Sequence, residues 1–390
     1  MRVRRGWGVV AAVLACAGVH ILIPAAARAA NIRLINRDGP GEGFNDSTPV
    51  EPVGGNSGTT RGEQRLIAFQ FAIDKWAAIL NSPVEIRISA NFDPLECNAN
   101  LVTLGLASPV SVRSDFVGAP QPNTFYAAAL ADRLAGMDLD PDEDDIEAQF
   151  NSSFGTTCSF PAGWYYGLDG NPPGDDSDLV TVVLHELGHG FGFLTVVDVV
   201  SGSLLSGSND AFMQFLIDDR TGKLFPAMTN AERRSASEAT GHLKWTGPLV
   251  TAASGRLSFG ADANGRVEMY APPDVEEGSS VSHWSDELFP DELMEPYFTH
   301  AIHDVGLAAE ALADMGWNAP GVTCQADCNG DGTVSIAELI TAVRIALGDL
   351  PLSSCAAVDI DGSGAVAVNE LVGAVSNALD GCSLSTTAAH

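Results

Sequence analysis

The segment His185-Glu186-Leu187-Gly188-His189-Gly190-Phe191-Gly192-Phe193 decides how the rest of this 390-residue chain is read. It lies in the most apolar stretch after the N-terminus, Leu179 to Leu194, whose pattern predicts a buried helix. On a helix His185 and His189 face the same way, about 6 Å apart along the axis. Both imidazoles can then hold one tetrahedral zinc ion. Glu186 projects from the adjoining face, where it can take a proton from water that the metal has made acidic. Gly188, Gly190 and Gly192 are poor helix formers and predict close backbone approach, or a helix end near Gly192. Asp175, Asp176 or Ser177 could cap the helix. A catalytic zinc needs a third protein ligand. The compact spacing H-E-x-x-H-x-x-G-x-x-H would put it at position 195, which is Thr195. His242, His283, His300, His303 and His390 remain as candidates, with Glu310 as a carboxylate option on a downstream helix. Chemistry alone does not choose among them.

Upstream of the motif, Leu66, Phe69, Ile73, Trp76 and Leu80 recur at helical spacing, and Val84, Ile86 and Ile88 alternate with polar residues as in a half-buried strand. Thr124 to Leu134 reads as a helix, and Ile146 to Phe150 as an edge strand with Ile146, Ala148 and Phe150 on one face. The run Asp138 to Asp145 reads as a solvated acidic loop, with cation binding as its alternative. Downstream, residues 199–280 carry many Gly, Ser and Ala without periodicity and read as an insertion. Ala308 to Met315 is helical in pattern, and Asn318-Ala319-Pro320-Gly321 marks a boundary. A helix followed by strands and a motif helix predicts an α+β domain over residues 31–318.

After that boundary, residues 322–383 contain an internal repeat. Asp327-Cys328-Asn329-Gly330-Asp331-Gly332-Thr333-Val334-Ser335-Ile336-Ala337-Glu338 fits a twelve-residue EF-hand loop. Its calcium ligands would be Asp327, Asn329, Asp331, the Thr333 carbonyl, Ser335 and a bidentate Glu338. Leu339, Ile340, Val343 and Leu347 then read as the apolar stripe of a helix. The second loop starts 32 residues later and offers Asp359, Asp361, Ser363, the Ala365 carbonyl and Glu370. Ala367 supplies no side-chain ligand there, which predicts weaker binding. One or two structural Ca2+ ions are therefore expected, in a small all-α pair.

Four further features bear on the setting. Residues 1–30 read as a signal peptide: Arg2, Arg4 and Arg5 precede an apolar run from Val9 to Ile23, with a small-x-small site at Ala27-Arg28-Ala29. Its loss removes four arginines and no acid, taking the net charge from −30 to −34. The six cysteines left are an even number, as expected of disulfides in a secreted or extracytoplasmic protein. Cys97 and Cys158 form one expected pair, while Cys324, Cys328, Cys355 and Cys382 crowd into the last 67 residues. The charge excludes a nucleic-acid binder, which needs a basic face. No later segment is long and apolar enough to span a bilayer.

Taken together, HELGHGFGF at 185–193, Ser282-His283-Trp284-Ser285, Glu292-Leu293-Met294 and the closing helix Ala311-Leu312-Ala313-Asp314-Met315-Gly316-Trp317 resemble the leishmanolysin family of metzincin proteases. In that family a long insertion separates the motif helix from a third His in a Ser-His-Trp segment. The resemblance implies a metzincin-like fold and one catalytic Zn2+ held by His185, His189 and His283. It also implies Glu186 as general base and Met294 as an apolar floor beneath the metal. The activity implied is that of a zinc metalloendopeptidase acting on protein or peptide substrates. The C-terminal repeat resembles EF-hand pairs and dockerin modules, and the latter implies a cohesin-like or surface partner. The competing reading is a non-enzymatic exported protein whose calcium module does the docking, with the protease-like part as scaffold. The intact Glu186 weighs against it.

Overall fold

The computed structural model describes residues 30–317, 325–328, 334–359 and 365–380. In chain order the first half runs β1 (Ile32–Asn36), α1 (Arg61–Ala77), β2 (Ile86–Asp93), β3 (Gly105–Pro109), β4 (Val112–Arg113), β5 (Thr124–Ala127), α2 (Ala128–Ala135), β6 (Ile146–Asn151), β7 (Trp164–Tyr165), β8 (Ser177–Asp178) and α3 (Leu179–Gly190). The mixture of helices and strands agrees with the expected α+β class at that coarse level. No helix among the described residues is long and apolar enough to cross a membrane.

The main sheet has the order β1-β2-β6-β3. β1, β2 and β6 are parallel, and β3 lies antiparallel on β6 with Gly105 opposite Phe150. β2 buries every second residue, Ile86, Ile88, Ala90 and Phe92, as its alternation requires. β6 buries Ile146, Ala148 and Phe150 as expected, but it is an interior strand and not an edge. Alternation reports one buried face and carries no information on whether both backbone edges are paired. The edge that faces the functional helix is β3.

α1 is started by a capping box, in which Thr60 accepts from the Glu63 amide and Glu63 returns the bond. Its buried face, with Phe69, Ile73 and Trp76, packs on the sheet and on α3; Phe69 meets Phe150 edge-on with ring centroids 5.7 Å apart. Trp76 ties the two helices by donating its indole N–H to the Leu184 carbonyl at 3.0 Å. The expected helix over Thr124 to Leu134 needs correction. Thr124–Ala127 is strand β5, paired with β4 and with Asn209–Asp210, and only Ala128–Ala135 is helical. The β-branched and aromatic residues Thr124, Phe125 and Tyr126 favour the pleated strand over the helix.

Within residues 199–280 lies a second small antiparallel sheet, Lys223–Leu224, Leu216–Asp218, Leu243–Trp245 and Val267–Glu268 in spatial order, with helices Asn230–Ser237 and Pro248–Ala253. Its strands are two or three residues long, too short to print a period on the sequence. It packs against the main body through Trp245, which stacks on Phe193 with centroids 6.3 Å apart.

The acidic run 138–145 is mostly tied down by arginine. Arg87 meets Asp138 and Asp144, Arg113 meets Asp140 and Glu143, and Arg37 meets Asp144. Asp145 departs from the expected solvated loop. It is buried, accepts from the Arg87 amide and shares a hydrogen bond with the carboxyl of Asp132. Burial, with the Asp132 charge adding to it, pushes Asp145 up to about 7. A carboxyl whose folded pKa is raised binds more protons folded than unfolded. Its contribution to stability therefore falls as pH rises from about 4 towards 7. Asp145→Asn is expected to raise the melting temperature at pH 8 relative to the parent protein, with the gap closing by pH 4. Thermal melts across that range measure it, and a gap independent of pH would contradict the assignment.

Among the described residues, disulfides join Cys97 to Cys158 and Cys328 to Cys355. In the C-terminal segment, helices Ile336–Ala346 and Val368–Asp380 pack together around Ala342, Ile345, Val358 and Ala374. The expected apolar stripe is only partly inward. Leu339 is half-buried, whereas Ile340, Val343 and Leu347 are exposed. The helix is turned so that Glu338, Ala342 and Ile345 face inward.

Candidate metal centre

Asp178 starts the motif helix, its carboxylate accepting from the Thr181 amide at 2.8 Å and from the Thr181 hydroxyl at 2.7 Å. The expected caps Asp175, Asp176 and Ser177 do not fill this role. The helix ends at Gly190, and the chain turns at Gly192, whose φ of +118° only glycine adopts readily. That turn brings the Phe193 carbonyl back to within 2.8 Å of His189 Nδ1. Gly188 is needed for a different reason. A Cβ there would lie 2.6 Å from the sulfur of Met294, which is fully buried. Gly188→Ala is expected to cost about 1–3 kcal/mol of overpacking, offset by up to ~1 kcal/mol of helix propensity. A melting temperature lowered by a few degrees is the expected readout, and an unchanged or raised one would contradict this packing.

His185, His189 and His283 form the one group among the described residues with metal-ligand geometry. Their Nε2 atoms make a triangle with sides of 3.1, 3.1 and 3.2 Å. Each Nδ1 faces a backbone carbonyl: Leu293 for His185 at 2.7 Å, Phe193 for His189 at 2.8 Å and Ser279 for His283 at 2.8 Å. A carbonyl only accepts, so each Nδ1 must carry the hydrogen. Burial holds all three imidazoles below their ordinary pKa, His189 to about 3, with the neighbouring rings adding to the effect at His189 and His283. Three neutral rings protonated at Nδ1 leave three Nε2 lone pairs aimed at one another. Such a set is repulsive by itself and calls for an electrophile at its centre. Ligands about 2.0–2.1 Å from a tetrahedral ion stand about 3.3 Å apart, close to the triangle found here. The donor set therefore fits a zinc-like ion, and the carbonyls supply the outer support such ligands usually have.

The third histidine arrives from the far side of the 199–280 segment. Thr195, where the compact spacing places a ligand, donates its amide to Ser282 Oγ at 3.2 Å, so His283 is delivered beside that position. The other candidates go elsewhere. His242 pairs with Asp219 on the surface, and His303 hydrogen-bonds the helix cap Asp178 at 2.8 Å. His300 sits at the cleft rim beside Asp291. Glu310 is buried near Arg256 and Glu292, away from the histidines, and His390 lies outside the described residues.

Glu186 is buried and lines the same cleft of about 700 Å³ as the three histidines. It accepts from the Ala107 amide on β3, while burial pushes its carboxyl up to about 8. A cation held by the histidines would draw that value down again. Met294 packs against α3 at Gly188, between the two motif histidines, and its carbonyl accepts from the Trp284 amide. Sequence reading missed Asp178, the carbonyls of Phe193, Ser279 and Leu293, and the Ala107 amide. Asp178, directly before the apolar run with Thr181 three residues on, carried a readable capping signal. The backbone groups carried none, because every residue has them.

In the C-terminal segment, Ser335 caps its helix and Glu338 completes the box, also accepting from the Cys328 amide at 2.9 Å. Glu370, 32 residues on, accepts from the Ala367 amide at 2.8 Å. Asp327, Asp359 and Ala365 are described as well, whereas the expected ligands Asn329, Asp331, Thr333, Asp361 and Ser363 lie outside the described residues. The same holds for Cys324, Cys382 and residues 1–29. No known protein family, curated protein or solved structure matches the chain.

Proposed function

We propose that this protein is an exported zinc metalloendopeptidase of the leishmanolysin-like metzincin kind, followed by a calcium-binding pair of helices. The observation that carries the reading is the triangle of converging Nε2 lone pairs beside a buried glutamate, at the floor of an open cleft. A zinc ion bound there would supply Lewis acidity, polarising a carbonyl oxygen and making water a far stronger acid. The chain's own residues do the rest. Glu186, fixed by the Ala107 amide, stands where it can accept a proton from the attacking water and pass it to the departing amine. Among the described residues β3 is an edge strand of the main sheet, and its Gly105, Leu106 and Ala107 line the cleft. An extended peptide can hydrogen-bond to such an edge as an added strand. The two short segments Ser279–His283 and Leu293–Met294 hold the third ligand and the carbonyl that orients the first. Casein cleavage by the purified protein, abolished by a zinc chelator and restored by zinc, is the test. Cleavage insensitive to the chelator would overturn the reading.

A docking role for the C-terminal pair is favoured by one observation. Ile336, Ile340, Val343 and Leu347 on the first helix, and Val368, Val372, Val375 and Leu379 on the second, are exposed at the same 32-residue offset. Exposed apolar stripes of this kind suit a protein partner. Capture of a defined partner in calcium that survives chelation, or that is unaffected by Ile340→Glu with Val372→Glu, would contradict it.

A further inference from the structure

The hydrogen bond that orients His185 ends on a loop carbonyl, that of Leu293, 2.7 Å from Nδ1. Such a carbonyl fixes a ring only as firmly as its own loop is held. The turn Glu292 to Glu295 is closed locally, the Glu295 amide donating to the Glu292 carbonyl at 3.2 Å and the Glu292 amide to Glu295 Oε1 at 2.7 Å. Its anchor to the rest of the fold is the buried side chain of Glu292. Oε2 accepts from the Leu307 amide at 2.8 Å, at the first residue of the helix Leu307–Asp314. Oε1 lies 2.9 Å from Nε of Arg256. No other lysine or arginine pairs with Glu292 among the described residues.

Arg256 comes from the 199–280 segment, at the end of the short helical turn Ser254–Arg256. It is partly exposed, and its Nη2 also pairs with the exposed Asp304 at 2.7 Å. The arginine thus reaches inward from the surface and brings a positive charge to a carboxylate that has no access to water. Breaking a buried ion pair by removing one partner leaves the other uncompensated, and the chain around it must relax or the acid must take up a proton. Here the chain around it includes Leu293, one residue on.

We propose that Arg256 is a positioning residue for the metal ligand His185: it braces Glu292, and through Glu292 the Leu293 carbonyl that sets the tautomer and direction of the ring. The 199–280 segment then serves two of the three ligands, leading the chain to His283 and bracing His185 from behind. The inference rests on the zinc reading of the three histidines, and its measurement is metal affinity, which needs no turnover.

Metal-free full-length protein is titrated with zinc against a fluorescent chelator, with thermal melts of the metal-free protein alongside. Arg256→Met is expected to weaken zinc binding about 10- to 100-fold, the range for losing an outer support of a metal ligand. Arg256→Lys keeps the charge and is expected to recover most of that loss. Glu292→Gln removes the same pair at constant shape and carries the test if Arg256→Met does not fold. The double variant is expected to bind within about threefold of the weaker single one, because both substitutions break one interaction. Asp304→Asn, on the exposed side of Arg256, is expected to stay within about threefold of the parent. Arg87→Met, which breaks ion pairs of the acidic run 138–145, is expected to lower the melting temperature and leave zinc affinity within about threefold. Zinc affinity unchanged in both Arg256→Met and Glu292→Gln would overturn the proposal. So would additive losses in the double variant, Arg256→Lys binding as weakly as Arg256→Met, or an equal loss in Arg87→Met. Zinc bound by the parent with any of these outcomes sinks the positioning role alone, whereas no zinc on the parent sinks it together with the zinc reading.

Discussion

Glu186→Gln is expected to lower peptide-bond hydrolysis by about 10²- to 10⁴-fold while leaving bound metal at its parental stoichiometry. Gln has nearly the same shape and can still accept from the Ala107 amide, so the local packing is kept. What it loses is the ability to take up a proton. The three Nε2 atoms come from other residues, so the ion has no reason to leave. The two readouts together separate a base from a ligand. Activity within about threefold of the parent protein would remove Glu186 from the mechanism, and loss of metal would make it a ligand.

His283→Ala carries the second large expectation. Losing only an outer hydrogen-bond partner of a metal ligand costs roughly 10- to 100-fold in affinity, and losing the ligand itself costs more. The purified variant is expected to contain far less than one zinc per chain. A second readout follows from the lone-pair argument. Without metal, the parental triangle sets three Nε2 lone pairs about 3.1–3.2 Å apart. Removing one ring relieves that repulsion, so the metal-free variant should melt no lower than the metal-free parent. Added zinc should raise the melting temperature of the parent by several degrees and that of the variant hardly at all. Stoichiometric zinc in His283→Ala would mean that another residue is the third ligand.

The metal-binding half of the site was legible because helical geometry converts a four-residue spacing into a shared face. His185, Glu186 and His189 therefore needed only the sequence. His283 did not follow from spacing, since the fold of residues 199–280 sets where the chain returns, and strands of two or three residues leave no period to read. It was reached by resemblance, and the geometry brings it to the other two rings. The orienting carbonyls were invisible for the opposite reason, being common to all residues. Misread elements share a cause. Tyr126 belongs to a strand because it pairs with Arg113 and its neighbours Thr124 and Phe125 pair with the distant Asn209 and Asp210, and Ile146 to an interior strand because β3 pairs on its far side. Both are pairings that a local window does not contain. Asp145 sat in an acidic run that composition assigns to solvent, yet its burial depends on Asp132 and Arg87 from other elements. In the C-terminal segment the period of the first helix was read correctly and its inward face was not, because Ala342 gives a weaker hydrophobic signal than the exposed Ile340.

Zinc K-edge X-ray absorption on the purified full-length protein bears most directly on the central claim. About one zinc per chain is expected, with three imidazole nitrogens near 2.0–2.1 Å, one further light atom and no sulfur. Absence of stoichiometric zinc, a sulfur scatterer, or a six-coordinate oxygen-rich site would contradict it.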